Sequence, residues 1–110
     1  MSPRELRSAR GTASSQIYAG DTLKVLVVYD ITEDSLRLKI AEILKDLGLV
    51  RIQKSAFIGE MTSQEREDME EVLRRLDLSP SDRIDVFPIC DRDLKMHAHI
   101  RRGRVERGPP

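Results

Sequence analysis

One carboxylate stands where α/β proteins commonly bind ligands. Asp30 directly follows the apolar run Val27-Val28-Tyr29 and precedes a stretch with helical spacing. Polar groups in the loop between the carboxyl end of a strand and a helix are frequent ligand contacts in such folds. Asp30 is therefore a candidate ligand for a divalent cation such as Mg²⁺. The competing interpretation is an ordinary turn or capping residue.

A single carboxylate per chain makes a sparse magnesium site. Mg²⁺ in proteins usually takes one or two carboxylates together with waters and substrate phosphates. A two-fold axis near Asp30 would bring two copies of the carboxylate face to face. A metal role for Asp30 and self-association of the chain therefore form one hypothesis.

Three further side chains could carry chemistry. His97 and His99 are two residues apart, so on a strand both imidazoles would point to the same face and could share a metal. The alternative is two polar side chains on an edge strand. Cys90 and His97 could form a nucleophile pair, but Cys90 lies in a strand pattern, where cysteine is usually a small buried hydrophobe. Glycine-rich nucleotide loops and the serine nucleophile elbow are absent from the sequence.

Basic residues are unevenly distributed although the chain as a whole is neutral, with 19 Lys and Arg against 19 Asp and Glu. The predicted first helix carries Arg37 and Lys39, the predicted second strand carries Arg51 and Lys54, and residues 101–110 are rich in arginine. The predicted second helix is acidic instead. This asymmetry favours a phosphate-binding face, against the alternative of an ordinary solvated surface. Because aromatic residues are few, contact with the nucleic-acid backbone is expected rather than base recognition.

The elements that must hold these side chains follow from the spacing of apolar residues. The first strand is apolar on both of its alternating faces, which is typical of strands covered on two sides. Helices are indicated by apolar residues at helical spacing, and the other strands mainly by alternation. The predicted strands are 23–29, 49–58, 83–90 and 96–100, and the predicted helices are 33–47 and 63–77.

Local signals mark the ends of both helices. Thr32 is the expected N-cap of the first helix, and acidic residues follow in its first turn. Gly48 suits the left-handed position that ends this helix. Thr62 and Glu65 have the spacing of a capping box at the start of the second helix.

The order β-α-β-α-β with a short last strand predicts an α+β domain. Two helices can cover one face of a four-stranded sheet, and no third helix is predicted for the other face. Since the first strand is apolar on both faces, we expect a second copy of the chain to cover the second face. The sequence therefore predicts a homodimer.

The composition restricts the class of protein. With 110 residues the chain is expected to form one domain around one core. The apolar run Val25–Val28 is far shorter than the ~20 residues of a membrane span, and no secretory signal is visible, so no membrane partner is expected. Cys90 is the only cysteine, which excludes an intramolecular disulfide and favours a cytoplasmic location.

The domain is expected to span residues 23–100. Residues 1–22 show no sustained period and are interpreted as a disordered lead, within which residues 16–18 could at most pair with a sheet edge. Residues 101–110 are interpreted as a basic tail.

Several of these segments, taken in order, closely resemble the CRISPR-associated protein 2 family. The resemblance covers about residues 23–100, and the combination of segments is more specific than any one of them. It rests on VVYDIT (27–32), RLK (37–39) on a helix ending at Gly48, RIQKSAFIGE (51–60) and DVFPIC (85–90).

The resemblance implies a ferredoxin-like α/β fold with two helices on one face of the sheet, and a homodimer. It implies a role in CRISPR adaptation, where the dimer bridges two integrase dimers and holds the DNA to be inserted into the array. Some members of the family are metal-dependent endonucleases acting on RNA or DNA. Mg²⁺ or another divalent cation is therefore the implied cofactor, and Asp30 matches the family's metal-associated aspartate.

The resemblance also nominates residues around Asp30. Tyr29 would be catalytic with Asp30, although a tyrosine is a weak base at neutral pH, so the metal would have to provide the base. Lys39 joins the predicted nucleic-acid contacts as the basic neighbour of Arg37, and Lys54 departs from a position that is often Tyr. The positions that match the family's site or nucleic-acid contacts are Tyr29, Arg37, Arg51, Ser55 and Phe57.

Four interpretations stay open at this point. The chain could be a metal-dependent phosphodiesterase, a non-catalytic adaptor that binds nucleic acid and the integrase, or a toxin-type nuclease of the same fold. It could also be an unrelated ferredoxin-like binding module, although RNA-recognition domains normally carry more aromatic residues on their strands. A ferredoxin-like domain needs a hairpin between its helices, whereas residues 49–60 show one long run, so the number of strands there is open.

Overall fold

The computed structural model describes residues 21–108 and contains six strands and three helices in that range. The expectations for residues 1–20 and 109–110 lie outside the described residues. The strands are β1 (Leu23–Asp30), β2 (Val50–Gln53), β3 (Ala56–Met61), β4 (Arg83–Ile89), β5 (Ala98–Arg101) and β6 (Arg104–Arg107). The helices are α1 (Asp34–Asp46), α2 (Ser63–Arg74) and the short α3 (Asp91–Lys95).

The main sheet is antiparallel and has four strands in the order β2-β3-β1-β4. β1 is central because it pairs with β3 on one side and β4 on the other. β4 lies at an edge of this sheet, where its Pro88 is tolerated because proline cannot donate a hydrogen bond to a neighbouring strand. The mixed α+β fold with an antiparallel sheet is thus the predicted one. β5 and β6 form a separate hairpin.

The core lies between one face of this sheet and the helices α1 and α2. Alternate residues of β1 supply the sheet side, because successive side chains of a strand point to opposite faces. The fully buried members of this core are Val25, Val27, Ile40, Leu44, Phe57 and Met69. Leu26 and Val28, the apolar side chains of β1 on the other face, are half-buried.

That second face carries an apolar row across all four strands of the main sheet. The strand register pairs Val50 with Ile58, Ile58 with Leu26, and Leu26 with Phe87. Val50 is 64% exposed and Phe87 is 47% exposed. The expectation that two helices leave this face short of cover therefore holds for the chain by itself. The segment Leu94–Arg101 covers part of it and leaves a cleft of about 910 Å³.

The segment between α1 and α2 is a hairpin rather than the single strand predicted for 49–58. Lys54 and Ser55 form the turn, and a register shift lies between Arg51 and Gln53. This resolves the open strand count in favour of two strands. The turn has neither Gly nor Pro, so the usual local signals of chain reversal were missing.

The start of α1 also differs from the prediction. Glu33, not Thr32, is its N-cap, and Glu33 makes no side-chain capping bond. Thr32 instead uses its hydroxyl and its backbone N–H in contacts with Asp82, fifty residues away. The predicted capping box of α2 is present, with both hydrogen bonds between Thr62 and Glu65.

The C-terminal part of the described chain is more ordered than the sequence suggested. Residues 104–107, interpreted as part of a basic tail, form β6 and pair with β5. Arg102 and Gly103 make the turn between them with φ values of 53° and 78°. Helix α3 was not predicted, and Cys90 precedes it as an exposed N-cap rather than a buried strand residue. Among the described residues, no helix is long and apolar enough to cross a membrane.

Candidate metal and nucleic-acid site

Asp30 is the last residue of the central strand β1, and its side chain is exposed. Its register partner is Arg83 at the start of β4, while the turn of the β2–β3 hairpin lies beside Tyr29. The Asp30 carboxylate makes no ion pair or hydrogen bond with any residue between 21 and 108. It therefore presents unshared oxygen atoms at the end of the sheet face that carries the apolar row.

Arg83, the charged register partner of Asp30, forms its ion pair with a different carboxylate, that of Asp85. Arg83 Nε donates to Asp85 Oδ2 at 2.8 Å and Arg83 Nη2 donates to Asp85 Oδ1 at 3.1 Å. This two-point contact raises the pKa of Arg83. Because cross-strand partners and residues two apart on a strand share a face, Asp30, Arg83 and Asp85 lie on the same side of the sheet. The Arg83–Asp85 pair leaves the Asp30 charge unneutralised.

The loop that follows Asp30 is held by Asp82. Its Oδ1 accepts hydrogen bonds from the Thr32 N–H at 3.0 Å and from the Thr32 hydroxyl at 3.2 Å, and its Oδ2 accepts from the Ser79 N–H at 2.9 Å. The Ser79 N–H and then the Thr32 N–H lower the pKa of Asp82, because both stabilise the ionised carboxylate. Asp82 thus joins the loop before β4 to the loop after β1.

Arg37, predicted to contact nucleic acid, contacts the same loop. Its Nη1 donates to the carbonyl oxygens of Ile31 at 2.8 Å and Thr32 at 3.1 Å, and its Nη2 pairs with Asp34. The side chain is half-buried in this position. Arg37 therefore fixes the backbone next to Asp30, and a contact with nucleic acid stays a prediction.

Tyr29 and Phe57 lie on the helix side of the sheet, behind Asp30. Tyr29 is 4% exposed, Phe57 is fully buried, and their rings stack with centroids 6.3 Å apart. Because α1 and α2 cover this face, Phe57 does not present its ring to solvent in the described chain, and its contact with nucleic acid stays a prediction. Tyr29 packs in the core beside the strand end rather than presenting its ring to solvent.

The other predicted contacts are placed separately. Arg51 is exposed and its guanidinium lies 5.1 Å from the centroid of the Phe57 ring, a cation–π contact. The carbonyl oxygen of Ser55 accepts the Tyr29 N–H at 3.0 Å, so Ser55 supports the end of β1 through its backbone. Lys39 is exposed on α1, and Lys54 is exposed in the β2–β3 turn.

The two histidines lie close together near the β5–β6 hairpin. Their rings stack with centroids 5.7 Å apart, His97 Nδ1 lies 2.7 Å from the Gly108 carbonyl oxygen, and His99 Nε2 lies 2.7 Å from Glu106 Oε1. No group of three or more His, Cys, Asp or Glu side chains within residues 21–108 could hold a metal. The shared-histidine metal site thus has no third ligand in that range.

Asp30 meets the chemical requirement of a Mg²⁺ ligand but not the number. Its oxygen atoms are hard donors and are unshared among the described residues, which suits this ion. Within one described chain no second carboxylate joins it, since Asp85 is engaged by Arg83. The side chains present therefore fit a divalent cation if a second copy of the chain contributes its own Asp30.

Sequence reasoning missed Asp82, Arg83 and Asp85. These residues stand close together before and within a predicted strand, so charge alternation at its start was the available signal. What the sequence did not contain was the pairing of β4 with β1, which brings this end of β4 beside Asp30.

Comparison with known proteins identifies the family. Residues 23–97 match the family model described as CRISPR associated protein Cas2. A protein of Korarchaeum cryptofilum named CRISPR-associated endoribonuclease Cas2 is 82% identical over 91 residues, covering 83% of this chain and 98% of the relative. A protein of the same name from Desulforudis audaxviator is 42% identical over 78 residues, covering 71% of this chain and 74% of the relative.

A fused relative and solved structures extend the comparison. A protein of Thermoproteus tenax named CRISPR-associated endonuclease Cas1/endonuclease Cas2 fusion is 35% identical over 83% of this chain, which spans 33% of that protein. A hypothetical protein from Thermus thermophilus superposes with a TM-score of 0.59 at 28% identity, covering 77% of this chain and 95% of that one. A structure described as cas2 superposes with a TM-score of 0.60 at 24% identity, over the same shares, which supports the fold. The family-model match over residues 23–97 and the relatives that share this sequence establish that the chain belongs to the CRISPR-associated Cas2 family.

Proposed function

We propose that the chain is a divalent-cation-dependent endonuclease that acts as a homodimer, with Asp30 of each copy holding the cation. The single observation that carries this proposal is the exposed, unshared Asp30 carboxylate beside an arginine that Asp85 already occupies. Single-stranded RNA is the first substrate to test, because two relatives carry the name CRISPR-associated endoribonuclease Cas2. Duplex DNA is the second.

In this proposal, most of the residues described around Asp30 position the site rather than contact the cation. A cation such as Mg²⁺, when bound, would activate water and offset charge on the scissile phosphate. Asp30 would hold it, while Asp82 and Arg37 keep the loop after Asp30 in one conformation. Ser55 and the core ring of Tyr29 support the same strand end from behind. No described side chain beside Asp30 is an obvious general base.

The homodimer in this proposal is supported by the apolar row on the second face of the sheet. The row runs through Val50, Ile58, Leu26 and Phe87, on the same face of the sheet as Asp30. Two copies packed through this face would bury the row and bring their Asp30 residues toward a common axis. A symmetric pair uses the same patch on both partners, which a single self-complementary face allows.

The dimer is tested by placing a charge in the apolar row. Phe87→Asp should yield a monomer by size-exclusion chromatography with light scattering, while the parent chain elutes as a dimer at micromolar concentration. Leu38→Asp is the matched control, because Leu38 is 66% exposed on α1, away from the row. A parent chain that is monomeric, or a Phe87→Asp variant that stays dimeric, would contradict the proposed interface.

The cleavage proposal is tested with labelled single-stranded RNA and duplex DNA, in Mg²⁺ and in EDTA. Asp30→Asn removes the charge with almost no change in shape, and Asp46→Asn is the control at an exposed carboxylate on α1. Cleavage by the parent chain should require Mg²⁺. It should persist in Asp46→Asn and be lost in Asp30→Asn. Cleavage by Asp30→Asn at the parent rate would reject the metal role of Asp30. The assay is read only on variants that light scattering shows to be dimers.

A second function is favoured by the fused relative. Since a Cas1 and a Cas2 region share one chain in the Thermoproteus protein, we propose a Cas1-type integrase as a partner of this chain in CRISPR adaptation. The dimer would then bridge integrase copies and hold DNA without cutting it. Co-elution with the Cas1-type protein by the parent chain and by Asp30→Asn alike supports this adaptor role. Absence of a complex with the parent chain rejects it.

A further inference from the structure

The β5–β6 hairpin concentrates positive charge at its tip. Arg101 ends β5, Arg102 and Gly103 form the turn, and Arg104 begins β6. All three arginines are exposed, and together with Glu106 they line a concave surface of about 440 Å³. We call Arg101, Arg102 and Arg104 the arginine tip.

The charges of the arginine tip are not neutralised within the described chain. Glu106 is the only acidic residue from 97 to 108, and its carboxylate contacts His99 at 2.7 Å. No ion pair of the three arginines is formed with any residue between 21 and 108. On α2, by contrast, Arg66 pairs with Glu70, and Arg74 and Arg75 both pair with Glu71.

The arrangement of the tip is unfavourable for the hairpin itself. Arg101 and Arg104 are direct cross-strand partners, and like charges in such positions repel. Arg102 has a φ of 53°, in the left-handed region where a two-residue turn prefers Asn, Asp or Gly. Local rules broken twice within four residues are a common sign of a functional surface. A polyanion would relieve the repulsion.

From these observations we infer that the arginine tip binds the phosphodiester backbone of a nucleic-acid duplex. The geometry favours a duplex because a two-stranded ribbon fits the major groove of B-form DNA, which is ~12 Å wide. Arg101 and Arg104, which lie on the two strands of the protein hairpin, would then face phosphates of the duplex. The inference rests on the proposed function and gives it a nucleic-acid contact distant in sequence from Asp30.

The test compares two triple variants that remove the same charge. The tip variant carries Arg101→Gln, Arg102→Asn and Arg104→Gln, and its Asn-Gly turn suits the observed φ values, so the hairpin is expected to fold. The matched control carries Arg66→Gln, Arg74→Gln and Arg75→Gln on α2. Binding of each full-length protein to a short duplex DNA, and to single-stranded RNA of equal length, is measured over a series of salt concentrations without divalent cation.

The tip variant should bind duplex DNA at least about tenfold more weakly, and its salt slope should fall by roughly 0.9 for each phosphate that the variant no longer neutralises. The α2 control should keep the parent slope. An unchanged slope for the tip variant, or a weakening confined to single-stranded RNA, would overturn the inference. So would a change of oligomeric state in the tip variant, because the arginines would then belong to an interface between copies. If the parent chain binds no nucleic acid, the proposed function itself fails, and this result is distinct from the others.

Discussion

Asp30 and Arg83 are register partners at one end of the sheet, yet Arg83 makes its ion pair with Asp85. Had Arg83 turned to Asp30, the carboxylate that is the best candidate for a cation would be neutralised. In the described chain, Asp85 therefore keeps Arg83 occupied. Asp85 would be a positioning residue in this arrangement, and Asp30 the residue that touches the cation.

This relationship predicts the effect of Asp85→Asn. The variant weakens the hold on Arg83 and lets its guanidinium pair with Asp30. Because an exposed ion pair is worth at most about 1 kcal/mol, the Mg²⁺ concentration for half-maximal cleavage should rise about two- to fivefold. The measurement is a Mg²⁺ titration of the cleavage rate. Adding Arg83→Gln to Asp85→Asn should restore the parent requirement, and failure of the double variant to do so would contradict the proposed role.

The stability of the chain should fall in acid partly through Asp82. The pKa of this carboxyl lies below its ordinary value of 3.8, so the ionised group stabilises the fold above that pH, and the contribution is lost as the pH falls through the lower value. Asp82→Asn should therefore flatten the decline in the free energy of unfolding on the acid side of 3.8. Urea unfolding at a series of pH values measures it.

Glu71 contributes to the same acid range and must be separated from Asp82. Hydrogen bonds from Arg74 and then Arg75 lower the pKa of Glu71 from 4.5 to about 2, so its contribution disappears as the pH falls between these values. We expect Glu71→Gln to remove part of the acid decline and Asp82→Asn to remove a further part in that background. A steep decline that persists in the Asp82, Glu71 double variant would count against both assignments.

Gly59 in β3 is required by the close approach of Leu49. A Cβ at this position would lie 2.8 Å from the Leu49 Cγ and 3.2 Å from its Cα, and Leu49 is buried. Gly59→Ala should destabilise the fold by about 1–3 kcal/mol, as expected for overpacking. Thermal unfolding measures the change. Because Leu49→Ala makes room, the double variant should lose less than the sum of the two single variants, and strict additivity would rule out the steric cause.

Variants of Phe57 and Arg51 should distinguish effects on the stability of the fold from effects on nucleic-acid binding. Phe57 is fully buried, so Phe57→Ala should cost about 3–5 kcal/mol, whereas Phe57→Leu should keep the fold and leave nucleic-acid affinity within about twofold. Within the folded chain, Arg51→Gln removes a cation–π interaction with Phe57, so it should lower the stability by about 1 kcal/mol or less. Chemical unfolding and binding are measured on the same samples. A folded Phe57→Leu variant with much weaker binding would instead support the predicted contact between Phe57 and nucleic acid.

Local patterns in the sequence predicted well those elements that depend on interactions between residues close together in the chain. The apolar spacing of α1 and α2 and the capping box of Thr62 and Glu65 depend on residues within a few positions of each other, so both helices start within one residue of the prediction. The doubly apolar β1 also predicted that α1 and α2 leave an apolar face short of cover, which Val50 and Phe87 bear out in the chain by itself. The resemblance to a family, confirmed by the match over residues 23–97, depended on the order of short motifs.

Tertiary structure decided what lies around the candidate site. The carboxyl end of β1 predicted that Asp30 would be available, but only the pairing of β1 with β4 brought Arg83 and Asp85 beside it. The burial of Phe57 followed from which face of the sheet α1 and α2 cover, and an alternating pattern does not specify that choice. Asp82 contacts Thr32 across fifty residues, so no local pattern could assign it. Hydrogen bonds and packing between distant segments form only when the chain closes on itself, and they decided which charges at the site are neutralised.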